Sequence, residues 1–80
     1  MAKISAELHN RLNARYRALK AAHPEVNLRP TQAEASAWTD ATRETWRDML
    51  ALSALASTFA GGSCSASDRK RAMRAVEVAA

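Results

Sequence analysis

The spacing of apolar residues along the chain predicts three helices. Apolar side chains recur every three or four positions over about residues 5–22, 31–60 and 66–78, which is the period of one helix face. Two prolines bracket the segment between the first two stretches, and two adjacent glycines separate the second from the third. Alanine is frequent and β-branched residues are sparse, which also favours helix over sheet. The pattern predicts an all-α fold, a small bundle of three helices in a single domain spanning residues 1–80.

Capping residues indicate where the first two helices begin and end. Ser5 can cap the first helix, and Pro24 ends it because the residue before a proline is pushed out of the helical region. Thr31 and Glu34 have the spacing of a capping box at the start of the middle helix. Gly61 suits the left-handed conformation that follows many helix ends.

The middle stretch, which contains both tryptophans, can form one helix or two. Its apolar residues keep helical phase throughout, and this favours a continuous helix that forms the spine of the bundle. Such a helix would be ~45 Å long, which is unusual in a globular domain. The alternative is a break near residues 39–41. The apolar stripe consists of Trp38, Ala41, Thr45, Met49, Leu52, Ala56 and Phe59.

Part of this stretch resembles a known DNA-binding unit. Residues 31–50, TQAEASAWTDATRETWRDML, resemble the helix-turn-helix unit of bacterial and phage DNA-binding regulators. Residues 31–34 match the opening of that unit, residues 42–45 match the start of its recognition helix, and Leu50 matches its last core position. The sequence departs from the family pattern at Asp40, which stands in place of the turn glycine.

The resemblance implies DNA contacts for a few polar side chains. Gln32 would contact a phosphate, and Thr42, Arg43 and Arg47 would face base edges in the major groove. A regulator of this kind would bind a two-fold DNA site as a homodimer. Acidic residues outnumber basic ones within residues 31–50, which disfavours contact with phosphates.

The start of the chain offers a second, shorter resemblance. Residues 3–8, KISAEL, alternate in polarity and are similar to the opening strand of ribbon-helix-helix DNA-binding proteins. The outward residues of that strand would include Lys3 and Glu7, and a glutamate in that place would repel phosphate.

Charge is distributed unevenly along a chain that is basic overall. The net charge is +4 and the isoelectric point is about 10.0, which points to nucleic acid or an acidic protein surface as a partner. Residues 1–30 have six basic and two acidic side chains, and residues 61–80 have four basic and two acidic. Residues 31–60 have two basic and four acidic side chains. An acidic spine is therefore flanked by basic segments.

Several residues in this arrangement are candidates for partner contact. Arg15 falls within the apolar stripe of the first helix, where its guanidinium either reaches water or meets an acidic partner. Trp38 and Trp46 are candidate anchors, because tryptophan is frequent among the residues that dominate binding energy. Ser65 or Ser67 can cap the last helix, whose polar side is either solvated or in contact with an anionic partner. That polar side contains Arg69, Lys70, Arg71 and Arg74.

Nothing in the sequence indicates catalysis. It has no Gly-rich phosphate-binding loop, paired-carboxylate signature or metal-ligand spacing, and His9, His23 and Cys64 are scattered. We therefore expect a non-enzyme with no cofactor and no metal. The single cysteine favours a reducing cytoplasm, and no apolar run is long enough for a membrane span or a signal peptide, so we expect no membrane partner.

Two classes of function remain. The first is a small basic binding protein that docks on a protein or nucleoprotein partner through its tryptophans and basic flanks. Its size fits the accessory proteins of phages and mobile elements, including inhibitors of bacterial host complexes such as anti-CRISPR proteins. The second is a helix-turn-helix transcriptional regulator, which should bind duplex DNA with a steep salt dependence. A docking protein should instead lose its partner on Trp46→Ala.

Overall fold

The chain folds into four α-helices. The structure, a computed structural model, describes residues 4–78. The helices are α1 (Ala6–Ala22), α2 (Gln32–Ala37), α3 (Asp40–Ser57) and α4 (Ala66–Val78), and a 3-10 turn at Thr58–Ala60 follows α3. No strand occurs in this part of the chain. The all-α prediction is confirmed, and the prediction of three helices is wrong.

The first helix begins and ends as its capping signals predict. The hydroxyl of Ser5 accepts a hydrogen bond of 3.1 Å from the N–H of Leu8. At the other end, the N–H of His23 donates to the carbonyl of Leu19 at 2.9 Å, and Pro24 prevents a further turn. These bonds satisfy backbone groups that have no partner within the helix.

An opening strand of the ribbon-helix-helix type is wrong for residues 6–8. These residues form the first turn of α1, whose amides bond back to the residues before them. Lys3, an outward residue of that alternative, lies outside the described residues.

The middle stretch is broken at Trp38, so a continuous helix over residues 31–60 is wrong. Trp38 has an extended backbone conformation, with φ −74° and ψ 149°. Thr39 then starts a new helix, because its hydroxyl accepts a hydrogen bond of 3.2 Å from the N–H of Thr42. The unbroken phase of the stripe was misleading toward both ends: Ala41 and Phe59, which it placed on the buried face, are exposed. The break covers Trp38 and Thr39, and Thr39 falls within the alternative position near residues 39–41.

The other helix ends follow the predicted signals. Thr31 and Glu34 form the capping box, with both reciprocal hydrogen bonds at 3.1 Å. Gly61 ends the 3-10 turn in the left-handed region at φ 96°, which a glycine adopts without steric cost. Ser65 caps α4, because its hydroxyl accepts from the N–H of Asp68 at 3.2 Å.

The central helix, α3, packs against α1 on one side and α4 on the other. The ring of His9, early in α1, stacks on Phe59 beyond the end of α3 with centroids 4.4 Å apart, so α1 and α3 run antiparallel. Val26, in the loop after α1, is only 2% exposed and closes the core. Because two helices cover α3, its buried face is wider than one stripe and includes Leu55. The fully buried residues are Leu12, Met49, Ala51, Leu52, Leu55 and Ala72.

Candidate functional site

Three of the predicted partner-binding arginines lie around one surface cavity. Arg15 comes from α1, and Arg71 and Arg74 come from successive turns of α4. The cavity has a volume of about 170 Å³. We call it the arginine pocket, and its lining residues are Arg15, Glu44, Asp48, Arg71, Arg74 and Ala75. Residues that are far apart in sequence are thus brought together by the packing of α1, α3 and α4.

Arg71 connects α4 to the acidic side of α3. Its Nη1 donates to Glu44 Oε2 and to Asp48 Oδ1, both at 3.0 Å. Glu44 also accepts from Arg47 at 3.0 Å through its other oxygen. The hydrogen bond from Arg71 holds the pKa of Glu44 below its usual range, and the hydrogen bonds to Glu44 and Asp48 raise the pKa of Arg71. Arg71 is therefore engaged within the protein and fixes the wall of the pocket.

Arg15 and Arg74, unlike Arg71, have no carboxylate partner among the described residues. Among residues 4–78, neither side chain forms an ion pair or a side-chain hydrogen bond, whereas Arg71 forms two ion pairs. Arg15 is half-buried, and its Nε atom is shielded from solvent without an acceptor. An unpaired buried donor costs about 1–3 kcal/mol. The pocket therefore contains two guanidinium groups whose charge the described chain leaves unpaired.

The remaining basic candidates lie outside the pocket. Lys70 is exposed on α4, and Arg69 is half-buried on the same helix. Arg11 and Arg17 are exposed on α1, on either side of Arg15 in sequence. These four residues have the same charge as the pocket arginines and do not line the cavity.

The two tryptophans also lie together, in a second cluster. Their rings pack edge to face with centroids 5.7 Å apart, and both side chains are half-buried against the core. The indole N–H of Trp46 donates to the carbonyl of Leu28 at 3.2 Å. Trp46 therefore joins the loop after α1 to α3, and Trp38 packs against Trp46. Leu50, one turn after Trp46, is more exposed than either tryptophan, at 37%.

Arg43, a candidate for DNA contact, is engaged at the junction of α2 and α3. Its Nη2 donates to the carbonyls of Ala35 and Trp38 at 3.1 and 3.2 Å, and its Nη1 donates to Asp40 at 3.1 Å. The guanidinium thus caps the end of α2, where the carbonyl of Ala35 also accepts from the N–H of Trp38 at 3.3 Å. Arg43 would have to break these bonds to reach a base.

The other residues of the DNA-binding alternative differ in their surroundings. Gln32 is exposed in the first turn of α2, a helix of six residues with no buried side chain. The hydroxyl of Thr42 accepts from that of Thr39 at 3.0 Å. Arg47 is half exposed, at 50%, and paired with Glu44. Of this set, Gln32 alone makes no side-chain contact with a neighbouring polar group in the described chain.

Sequence reasoning missed the two carboxylates of the arginine pocket. It gave neither Glu44 nor Asp48 a role, whereas both bind Arg71 of α4. Their spacing was the available signal, because residues four apart lie on the same side of a helix. Nothing in the sequence indicated which helix would cover that side.

Neither a metal centre nor a reactive thiol is found in the described chain. Residues 4–78 contain no group of three His, Cys, Asp or Glu side chains that could hold a metal ion. Burial raises the pKa of the Cys64 thiol, which keeps it protonated and weakly nucleophilic at neutral pH. Within the same residues, no helix has the length and apolarity needed to cross a membrane.

No protein-family model, curated protein or solved structure matches the chain. The geometry of the arginine pocket and of the tryptophan cluster is therefore the basis for inferring function.

Proposed function

We propose that the chain is a small non-enzymatic binding protein that docks on a protein or nucleoprotein partner through the arginine pocket. The observation that carries the proposal is the convergence of Arg15 and Arg74 on one cavity without an ion pair among the described residues. Unpaired guanidinium groups are suited to a partner, because arginine is enriched in protein interfaces and binds anionic groups through paired hydrogen bonds.

The helices that present the pocket are joined to one another before any partner arrives. Arg15 and Arg74 stand on helices, and Arg71 ties α4 to α3 through two hydrogen bonds of 3.0 Å. A preorganised site loses less conformational entropy on binding than a site on a flexible loop. The tryptophan cluster is proposed as a second, flanking contact, with Leu50 as its exposed apolar side chain.

The proposed setting is the cytoplasm, and the proposed type is an inhibitor of a bacterial host complex encoded by a phage or mobile element, as anti-CRISPR proteins are. The single cysteine supports a reducing cytoplasm, and the basic charge supports docking on an anionic partner. The proposal includes no cofactor, no metal and no membrane partner.

Affinity capture with matched variants tests the proposal. Wild-type protein, the Arg15→Gln/Arg74→Gln variant and an Arg11→Gln/Arg17→Gln control are each immobilised and exposed to bacterial lysate. The control removes the same charge from exposed positions of α1. We expect a protein that is enriched on the wild type and on the control and is lost from the pocket variant, with far-UV circular dichroism showing that all three remain helical. Equal enrichment on all three would refute the pocket as the docking site.

A DNA-binding regulator is the second candidate, and the break at Trp38 favours it. The helix-turn-helix resemblance implies a turn near residues 39–41, and the start of α3 at Asp40 is consistent with that turn. A regulator should bind a two-fold duplex as a homodimer, with an affinity that falls steeply with salt and on Arg47→Ala. Binding to duplex DNA that is weak and independent of sequence would exclude it.

A further inference from the structure

We infer that the arginine pocket accepts a single carboxylate, the side chain of an Asp or Glu on an acidic segment of a protein partner, between Arg15 and Arg74. The inference rests on the proposed function and specifies the chemistry of the partner. A carboxylate site implies an acidic protein as the partner, whereas the net charge of the chain is equally compatible with a nucleic acid.

The charges that line the pocket fit one negative charge. Three guanidinium groups and two carboxylates line the cavity, so the protein contributes a surplus of one positive charge there. Arg71 is already neutralised by Glu44 and Asp48 at 3.0 Å. A single carboxylate would neutralise the surplus of these five lining side chains.

The acidic residues around the pocket disfavour a nucleic acid. Glu44 and Asp48 line the same cavity, and the fully exposed Asp40 stands on the same helix. A nucleic acid presents a row of phosphates and not one, so its neighbouring phosphates would approach these carboxylates. A protein segment can place one carboxylate between the arginines and present neutral or basic side chains to α3.

The geometry of guanidinium groups suits a carboxylate. The two oxygens of a carboxylate accept parallel hydrogen bonds from one guanidinium or bridge two. Arg15 has a shielded Nε donor without an acceptor, and the cavity of about 170 Å³ has room for a carboxylate group beside it. A negative charge at this position would offset the cost of leaving this guanidinium unpaired.

Nuclear magnetic resonance of the arginine side chains tests the inference on the full chain. The Nε–H signals of Arg15, Arg71 and Arg74 are followed during titration with a short capped peptide that has a single glutamate among neutral residues. Parallel titrations use inorganic phosphate and a short DNA duplex, all at a constant ionic strength of about 0.1 M so that general screening is equal. We expect the peptide to shift the signals of Arg15 and Arg74 to saturation, and to shift the signal of Arg71 less, because its ion pairs are already made.

Matched substitutions separate the pocket from the overall charge. Arg15→Gln and Arg74→Gln should each weaken peptide binding by about five- to ten-fold, as expected for loss of a charge-assisted hydrogen bond. Arg17→Gln on α1 and Lys70→Gln on α4 remove one charge from the same helices outside the cavity, and each should change affinity by less than about two-fold. Such a difference supports the inference.

Three results would overturn it. Equal weakening by all four variants would show that overall charge, and not the pocket, attracts the peptide. Tighter binding of phosphate or duplex DNA at Arg15 and Arg74 would overturn the carboxylate assignment in favour of phosphate. Signals unchanged by the peptide would also overturn that assignment. The proposed function survives the second and third results if capture from lysate still depends on Arg15 and Arg74, and it fails with the inference if capture is independent of them.

Discussion

Replacing Arg43 by alanine should loosen α2 and lower the stability of the whole chain. The substitution removes the hydrogen bonds of 3.1 and 3.2 Å to the carbonyls of Ala35 and Trp38. It also removes an ion pair with the fully exposed Asp40, which contributes little because water screens it. The effect should therefore come mainly from the two carbonyls at the end of α2.

The magnitude follows from these bonds and from their exposure. Hydrogen bonds from a charged donor contribute about 1.5–3 kcal/mol when shielded, and the side chain of Arg43 is 31% exposed, so the lower part of the range applies. We expect Arg43→Ala to lower the free energy of unfolding by about 1–2 kcal/mol. Because α2 has no buried side chain, most of the structural change should appear as loss of helix in that segment.

Urea unfolding and backbone carbon chemical shifts measure the two effects. The shifts of α2 should move toward random-coil values in Arg43→Ala, while those of α3 remain helical. Asp40→Asn is the control, because it removes the ion pair and keeps both carbonyl bonds, and it should leave both measurements nearly unchanged. A stability of Arg43→Ala within about 0.3 kcal/mol of wild type, with α2 intact, would refute the assigned role.

This structural role changes how the DNA-binding alternative must be tested. Loss of DNA affinity in Arg43→Ala would result from an altered α2 as readily as from a lost base contact. Arg47 is the better choice, because its one ion pair is with Glu44, which Arg71 also binds, and its removal leaves the α2–α3 junction intact.

Three further predictions concern stability. Leu55→Ala, at a fully buried position, should cost about 2–5 kcal/mol in urea unfolding, whereas Leu50→Ala, at a position 37% exposed, should cost much less; similar losses would contradict the packing of α3. Thr39→Ala should cost about 0.5–2 kcal/mol by removing the cap of α3, and Thr39→Ser should retain most of the stability if the hydroxyl is responsible. The pKa of Glu44 is lowered in the folded state by its hydrogen bond from Arg71. The stabilising contribution of Glu44 is therefore complete above the ordinary glutamate pKa of about 4.3 and is lost as pH falls through the lowered value. The free energy of unfolding, measured from pH 6 to pH 3, should depend less on pH in Glu44→Gln than in the wild type. An unchanged dependence would contradict the Arg71 pairing.

The parts of the fold that were predictable from the sequence depend on local interactions. The caps at Ser5 and Thr31 and the glycine at Gly61 act within a few residues, so their chemistry can be recognised in the sequence. At the break, Arg43 bonds the carbonyls at the end of α2 from five residues beyond Trp38, and Trp38 packs against Trp46. Periodicity does not contain that information, because the apolar stripe keeps its phase across the break.

The candidate site was predictable only as a set of separate residues. The unusual position of Arg15 within an apolar stripe, and the density of basic residues in α4, identified both sides of the pocket. Their meeting depends on how α1 and α4 pack against α3, which is a property of the tertiary structure. The pairing of Arg71 with Glu44 and Asp48 depends on the same packing. This pairing distinguishes Arg71 from Arg15 and Arg74, which have no ion pair among the described residues.

The placement of both tryptophans in one cluster has a practical consequence for optical experiments. The chain has two tryptophans, and their rings lie 5.7 Å apart beside the loop after α1. Intrinsic fluorescence therefore reports on the α2–α3 junction and that loop, and it is insensitive to the turn at residues 61–65 beyond the opposite end of α3. A fluorescence transition that precedes the loss of far-UV ellipticity would mark local opening of this junction, whereas coincident transitions would indicate that the chain unfolds as one cooperative unit.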